Sequence, residues 1–539
     1  MKLKNDKGFV LVLTMLIVVI VGTFAVSMSS MCNTNLQLAR NQHKANMAMS
    51  AALSGVEYGR LLCKTYESGL KTAGTISSSQ KNAIWQGLRS FAHDHPCNGH
   101  CAHCRDGVKN SKVFEEFSIP AKSYGADNFT FTVSFTLYAN DPNTIIMESI
   151  GTDGVVSKKI TMSVKISKDN RVLKYAIASK GRIWITSATT IDGDIFSTWD
   201  ATKYKSAGIE TTAEVINNGK LCVVNSIAEL DSKNVHMETL DSNGNPMFDA
   251  DGNRIYSARD TVQGYHEGIK YDQSTSDLPG MSEDDYDTSE YGKMCSANKI
   301  AISSQKTTEY FPHYDGNYKR SVSGSVSFSR NVYRNKTYTN ATLPKGTNAL
   351  FENCTFNDTL YIESQSNTTD IKKCNNVRFE NCTFNGVIVT FVPKNGSSSN
   401  PVINWRENNL YFTGSATFNN QTAQQDATIM APNFNVNLGN TTELEVGKAS
   451  ILEGVVVGGI VDIRGIVDVN GTIISMYDTK MYSDGYVTNI GSTDDDGGSE
   501  GGAFTGEEIN ISPSEKQQMP NGIGTKIIVC PDVRSYKEN

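Results

Sequence analysis

Several things are scarce in this chain of 539 residues. Proline occurs 13 times, tryptophan 4 times and histidine 8 times. No extended basic stripe is present, the net charge is −7 and the pI is about 5.7, which argues against nucleic acid as a partner. There is no glycine-rich phosphate-binding loop, no serine-hydrolase elbow and no kinase signature set, so the chain carries no sharp catalytic signal. Between Phe9 and Ala39 there is no charged side chain at all. What remains is a globular balance, 38% apolar and 20% charged, with 44 glycines. The length calls for two or more structural units. Tyr, Phe, Asn, Thr and Gly crowd the C-terminal half, a composition suited to strands and turns.

The uncharged stretch is the first positive signal. Phe9 to Val26 is nearly continuous Val, Leu and Ile, and the run continues uncharged through Met31. At ~1.5 Å per residue it matches a ~30 Å hydrocarbon core. Lys2, Lys4 and Lys7 precede it, which keeps the leader cytoplasmic and exports the rest. Three readings fit: a cleaved secretory signal, a plain single-span anchor, or a prepilin whose short basic leader ends at Gly8 and is cut before Phe9. The helix does not stop at the membrane. Leu38, Ala45, Met49, Ala52 and Val56 fall at helical spacing, predicting one amphipathic face of a stem over residues 9–62.

The segment "NMAMSAALSGVEYGR", 46–60, behind this run resembles the N-terminal region of PilX-like minor pilins of type IV pilus systems. It is also similar to the K-type minor pseudopilins of type II secretion. Those families show Ala-Ala-Glu-x-Gly here; this chain has Ala51-Ala52-Leu53-Ser54-Gly55, with Glu57 one turn later. Major pilins carry Glu at the fifth mature residue, and here that residue is Leu13. An apolar residue avoids an unpaired charge in the bilayer, which suits an initiating or tip subunit and equally a plain anchor. The resemblance implies other pilins or pseudopilins, inner-membrane assembly proteins and a prepilin peptidase as partners. It implies a single-pass bacterial inner-membrane protein with an exported C-terminal region, at a pilus tip or the cell surface.

Beyond the stem, Ser77-Ser78-Ser79-Gln80 reads as a helix start, with Ile84, Leu88 and Phe91 as its apolar face. "FTFTVSFTLY", "TIIMESIGT" and "KITMSVKI" alternate as three antiparallel strands. Residues 63–167 are therefore expected to form an α+β module of the pilin kind. From 168 to about 490 short β runs alternate with glycines. "FENCTFN" occurs at 351–357 and again at 379–385, a spacing of 28, while "IVDIRG" and "IVDVNG" follow each other from Ile460. Stacked identical motifs signal a solenoid. The expected fold class is mainly β with a long N-terminal helix, the head being a right-handed parallel β-helix; a β-sandwich is the alternative. Phe356 and Phe384 should stack inside, Asn353 and Asn381 should form a ladder at a turn, and Cys354 and Cys382 should be small core residues. Residues 240–295 form an insertion, and 491–539 an acidic, glycine-rich loop and tail.

The densest chemical cluster is His93, His95, Cys97, His100, Cys101, His103 and Cys104. Imidazole and thiolate suit a structural zinc, while an oxidising exterior favours a disulfide; both stay open, and no other cofactor is expected. In "DSNGNPMFDADGNRIY" Gly252 comes too early after Asp249 for an EF-hand loop, so a surface hairpin is expected rather than calcium. β-Helices resembling pectin lyases use clustered Asp with a basic residue, and Asp192, Asp194, Asp462 and Asp468 are the candidates here. Asp462 and Asp468 lie between apolar neighbours and are expected to point outward. The reading is a minor pilin-like subunit, not an enzyme, whose head meets a surface glycan or protein. The alternative is an anchored polysaccharide lyase or hydrolase, or an adhesin.

Overall fold

The computed structural model describes residues 7–92, 104–105, 116–125, 128–138, 141, 143–186, 188–204, 206–274, 278–310, 327–364, 375–392, 408–414, 416–419, 427–438, 450–463, 466–476, 487–491, 509–513 and 518–538. The chain divides into two compact units. One comprises Met1–Leu70, Ile76–Ser167 and Ile527–Asn539, the other Lys71–Thr75 and Lys168–Lys526.

The first unit is a helix docked on an antiparallel sheet. Helix α1 runs unbroken over Lys7–Thr65. Its second half turns Ala48, Ala51, Ala52, Val56 and Cys63 into the core. The strands Glu116–Tyr124, Phe129–Leu137, Thr144–Thr152 and Ser157–Lys168 follow one another antiparallel. Alternation along Phe129–Leu137 buries Phe129, Phe131, Val133 and Phe135, so the period-2 pattern read from the sequence marks the helix-facing side. Close approach comes from small residues. A Cβ on Gly151 would lie 2.1 Å from the Ala48 carbonyl oxygen, and one on Gly59 would lie 2.4 Å from Met147 Sδ. Ser149 Oγ donates to the Ala52 carbonyl at 2.7 Å, tying sheet to helix. Helix α2, Ser78–Ala92, starts as expected: Ser77 N–H donates to Gln80 Oε1 and Gln80 N–H to Ser77 Oγ, a reciprocal cap. It buries Ile84, Trp85 and Leu88, with Trp85 against Phe117 at 4.9 Å.

Two differences from the sequence reading stand out here. Glu116–Tyr124 adds a fourth strand, hidden by Pro120 and a register shift between Ile119 and Lys122. The expected C-terminal tail ends instead in the strand Thr525–Glu538, the hydrogen-bonded neighbour of Ser157–Lys168. Its Ile527 and Val529 belong to the same core as the stem. Only two apolar inward positions, Ile527 and Val529, alternate before Pro531, too short a signal to read as a strand without its partner.

The second unit is a stack of short strands paired in parallel, apart from the antiparallel pair Lys306–Tyr310 and Ser327–Arg334. Its described residues form one sheet of 19 strands and another of 6. The repeat explains the register: Phe351↔Phe379↔Phe412 and Phe356↔Phe384↔Phe418 are partners in successive strands. Two aromatic columns result. Tyr333, Phe351, Phe379 and Phe412 stack with centroids 4.7, 5.4 and 5.2 Å apart. Tyr338, Phe356, Phe384 and Phe418 stack at 5.4, 5.2 and 5.1 Å. Between columns the rings meet edge-on, Phe379 and Phe384 at 5.2 Å and 82°; both geometries suit the ring quadrupole. At the corner beside them Asn335, Asn353, Asn381 and Gly414 all have positive φ, 52°, 51°, 51° and 65°. Asn and Gly tolerate that left-handed turn, which is why Asn recurs in the motif.

Stacking order is not chain order. Strands from Tyr175 to Lys270 build one block, and strands from Ser327 onward build another. The last strands of the second block, Ile473–Ser475 and Val487–Ile490, pair with the first strands of the first block, Tyr175–Ser179 and Arg182–Ile185. The six-stranded sheet repeats this, since Ile509–Ser512 sits between Val467–Asn470 and Thr189–Ile191. Residues 509–512, expected in the tail, are therefore part of the stack. Asp462 is also corrected. It is 2% exposed rather than outward-facing, because its register partners on either side, Asn437 and Asn489, form a buried polar column with it.

Candidate functional site

The stem is the feature with the clearest physical demand on its surroundings. Its first stretch, from Phe9, includes an 18-residue window of mean hydropathy 3.0 with no part buried in the protein. Phe9 to Met31 spans ~35 Å at ~1.5 Å per residue, enough for a ~30 Å hydrocarbon core. The threonine hydroxyls on it and just beyond it are bonded within the helix. Thr14 Oγ1 donates to the Val10 carbonyl at 2.9 Å, Thr23 Oγ1 to Ile20 at 2.8 Å and Thr34 Oγ1 to Ser30 at 2.9 Å. A polar group left unpaired in lipid costs several kcal/mol, so this internal bonding suits an apolar solvent. Leu13 is exposed on this stretch with its apolar neighbours. Gly8 and Phe9 lie within the first turns of α1, and Phe9 is exposed; residues 1–6 of the expected leader lie outside the described residues.

Further along, the helix changes solvent. Lys44 Nζ pairs with Asp153 Oδ2 at 3.1 Å. The Asp153 carboxyl is lowered to about 2, first by the backbone N–H groups of Val156 and Val155 and then by Lys44. The predicted stripe divides here: Leu38 is 67% exposed, Ala45 and Met49 are half-buried, and Ala52 and Val56 are buried. Sequence reasoning missed the residues that set the docking distance, Ala48, Ala51, Gly55 and Gly59. Their signal was a run of small residues at steps of three and four, which a search for large apolar residues passes over. Glu57 faces outward and pairs with Arg60 at 2.6 Å.

The other candidates are scattered. His93, His95, Cys97, His100, Cys101 and His103 lie outside the described residues, and Cys104 is described only by its backbone pairing with Phe117. Among the described residues no group of three or more His, Cys, Asp or Glu converges as a metal would need. Asp241 and Asp249 each close a tight turn: Asp241 Oδ1 accepts from the N–H groups of Asn243 and Asn245, and Asp249 Oδ1 from Asp251 and Asn253. Asp194 pairs with Lys270 at 2.9 Å, a partner that sequence spacing did not reveal. Burial pushes its carboxyl up, but the Lys220 N–H and the Lys270 ammonium outweigh that and hold it below the usual range. Asp192 accepts from Asn218. Asp462 and Asp468 fall in different sheets, and Asp468 accepts from Asn510 at 2.9 Å. Cys354 and Cys382 are buried in successive turns of the stack, their thiols donating to the Tyr333 and Phe351 carbonyls. The neighbouring Cys354 sulfur and burial push the Cys382 thiol up.

Searches found no matching family model and no matching curated protein. Among solved structures the chain is similar to a competence-associated pilin, ComZ from Thermus thermophilus. Identity is 11%, coverage is 92% of this chain and 97% of that one, and the TM-score is 0.28. A superposition that loose does not establish a shared fold.

Proposed function

We propose that this protein is a minor pilin-like subunit of a type IV pilus or a type II secretion pseudopilus. The carrying observation is a single unbroken helix with two solvents: a bare apolar first half and a second half docked on its own sheet. A cleavable secretory signal needs no continuation into the core of the mature fold. Here removing the apolar half leaves the docked half beginning in mid-helix. In this reading a prepilin peptidase cuts between Gly8 and Phe9. The stem waits in the inner membrane as a single span, with the rest exported, and is then drawn sideways out of lipid into a bundle of similar stems. Leu13 in place of the acid suits an initiating or tip subunit, since no charge is left unpaired in the bilayer. The second unit is a right-handed parallel β-helix displayed as the head, without enzymatic activity, meeting a glycan or protein at the surface.

The amino terminus of the exported protein tests this. Mass spectrometry should find it at Phe9, with the chain present in sheared filaments. A mature product beginning beyond Met31 would sink the proposal. Release of unsaturated sugars from polysaccharide by the purified chain would favour an anchored lyase instead.

A further inference from the structure

Within the first block of strands, the chain from Ile227 to Tyr271 shapes a cavity of about 320 Å³, at the low end of the ~300–1,000 Å³ typical of small-ligand sites. It is built from three pieces of chain. Helix Ile227–Ser232, started by a reciprocal cap at Ser226 and Glu229, supplies Ile227, Leu230 and Asp231. The extended segment after it supplies Met237 and Glu238, and Tyr271 closes the far wall. Leu230 and Met237 are buried and give an apolar lining.

Glu238 is the unusual member. Its side chain is 6% exposed, and one oxygen, Oε2, is held by Arg254 Nη1 and lies 3.3 Å from His266 Nε2. His266 Nδ1 accepts from the Gly268 N–H at 3.1 Å, and its Nε2 also lies 3.1 Å from Arg254 Nη1, so the ring, the guanidinium and the carboxylate form one cluster. Arg254 Nη2 is spent on the His266 carbonyl at 3.0 Å. The carboxylate is thus fixed through one oxygen, while Oε1 takes no hydrogen bond from a described residue. Behind this wall Asp260 is saturated by Ser257 and Thr239. Asp231 and Asp241 add negative charge at the mouth. The field is felt inside: burial, then the Glu238 and Asp231 charges, push the Tyr271 phenol up.

We propose that this cavity binds a primary alkylammonium group, either a free diamine or the side chain of a lysine on a partner peptide. Glu238 Oε1 receives the ammonium, the apolar wall takes the methylene chain, and the Tyr271 ring faces the cation. A guanidinium fits less well, because it demands two coplanar acceptors and the wall offers one. A divalent cation fits less well still, since Asp241 is already occupied by its own turn and the carboxylates do not converge.

The test uses the full chain in detergent and calorimetric titration with 1,5-diaminopentane, Nα-acetyl-lysine methylamide, Nα-acetyl-arginine methylamide and hexanoate. The two amines should bind saturably at one site, and hexanoate should not bind. Asp231→Asn, an exposed change, should weaken the amines ~2–5-fold by removing charge at the mouth. Tyr271→Ala and Glu238→Gln should weaken them ~10-fold or more, with the circular dichroism melt confirming that each variant is folded. Binding of the diamine alone assigns a free polyamine, and binding of the lysine derivative alone assigns a peptide partner. The proposal is overturned if neither amine binds, if hexanoate binds as well, if arginine outcompetes lysine, or if folded Asp231→Asn and Tyr271→Ala variants bind like the parent. The result is independent of the pilus reading, which rests on the amino terminus.

Discussion

The two units solve the same problem, burying enough apolar surface, with opposite materials. The first brings a helix onto a sheet by removing side chains: Ala48, Ala51, Ala52, Gly55, Gly59 and Gly151 allow backbone to approach backbone. The second, in its layers from Tyr333 to Phe418, ranks Phe and Tyr in columns and elsewhere fills its interior with Ile, Val and Leu. Small residues make a unique, tight pairing between two particular surfaces. Aromatic columns make a repeatable one, in which each layer is the template for the next.

That contrast can be broken most forcefully at Phe379, which stacks on Phe351 and Phe412 and meets Phe356 and Phe384 edge-on. Phe379→Ala should cost about 3–5 kcal/mol. Differential scanning calorimetry should show the loss in the transition of the second unit, with that of the first unchanged. Equal lowering of both transitions would mean that the units do not fold separately. Gly151→Leu is the counterpart in the first unit, where the added side chain meets the Ala48 carbonyl and Ala52 N–H. A loss of about 3 kcal/mol is expected, read as protease cleavage within the segment 45–65. Survival of the docked helix would refute the close-packing account. A smaller effect is expected at the corner: Asn353→Val forces a β-branched residue to φ near 51° and should cost ~1–2 kcal/mol, whereas Asn353→Gly should be nearly neutral in urea unfolding.

The smallest effects are in titration and labelling. Burial, then the nearby Cys530 sulfur, push the Cys63 thiol up to about 12 from its usual 9.0. A raised folded-state value favours the protonated form, so this contribution to stability is full below pH ~9 and is lost as pH rises from ~9 to ~12. The melting temperature of the first unit should fall over that window, and Cys63→Ala should flatten the fall. In native alkylation followed by mass spectrometry, the exposed Cys32 and Cys530 should label. The buried Cys63, Cys222, Cys295, Cys354 and Cys382 should stay protected until unfolding. Early labelling of Cys354 or Cys382 would show that the stack opens locally.

The sequence carried what depends on local period and composition. An uncharged apolar run states its own solvent, alternation in "FTFTVSFTLY" states which side of a strand is buried, and the exact recurrence of "FENCTFN" states that layers repeat and that its Asn sits at a turn. What depends on which distant segments meet was decided only by the tertiary structure. The last strand of the chain joins the sheet against the stem. The final layers of the stack dock on its first ones. Asp462 is enclosed between Asn437 and Asn489, although its neighbours in sequence predict an outward position. Arg254 and His266 converge on Glu238 in a cavity wall. The reason is physical: period and propensity act over a few residues, whereas burial of a strand edge, a charge or a small-residue face is set by partners that lie well outside that window in the sequence.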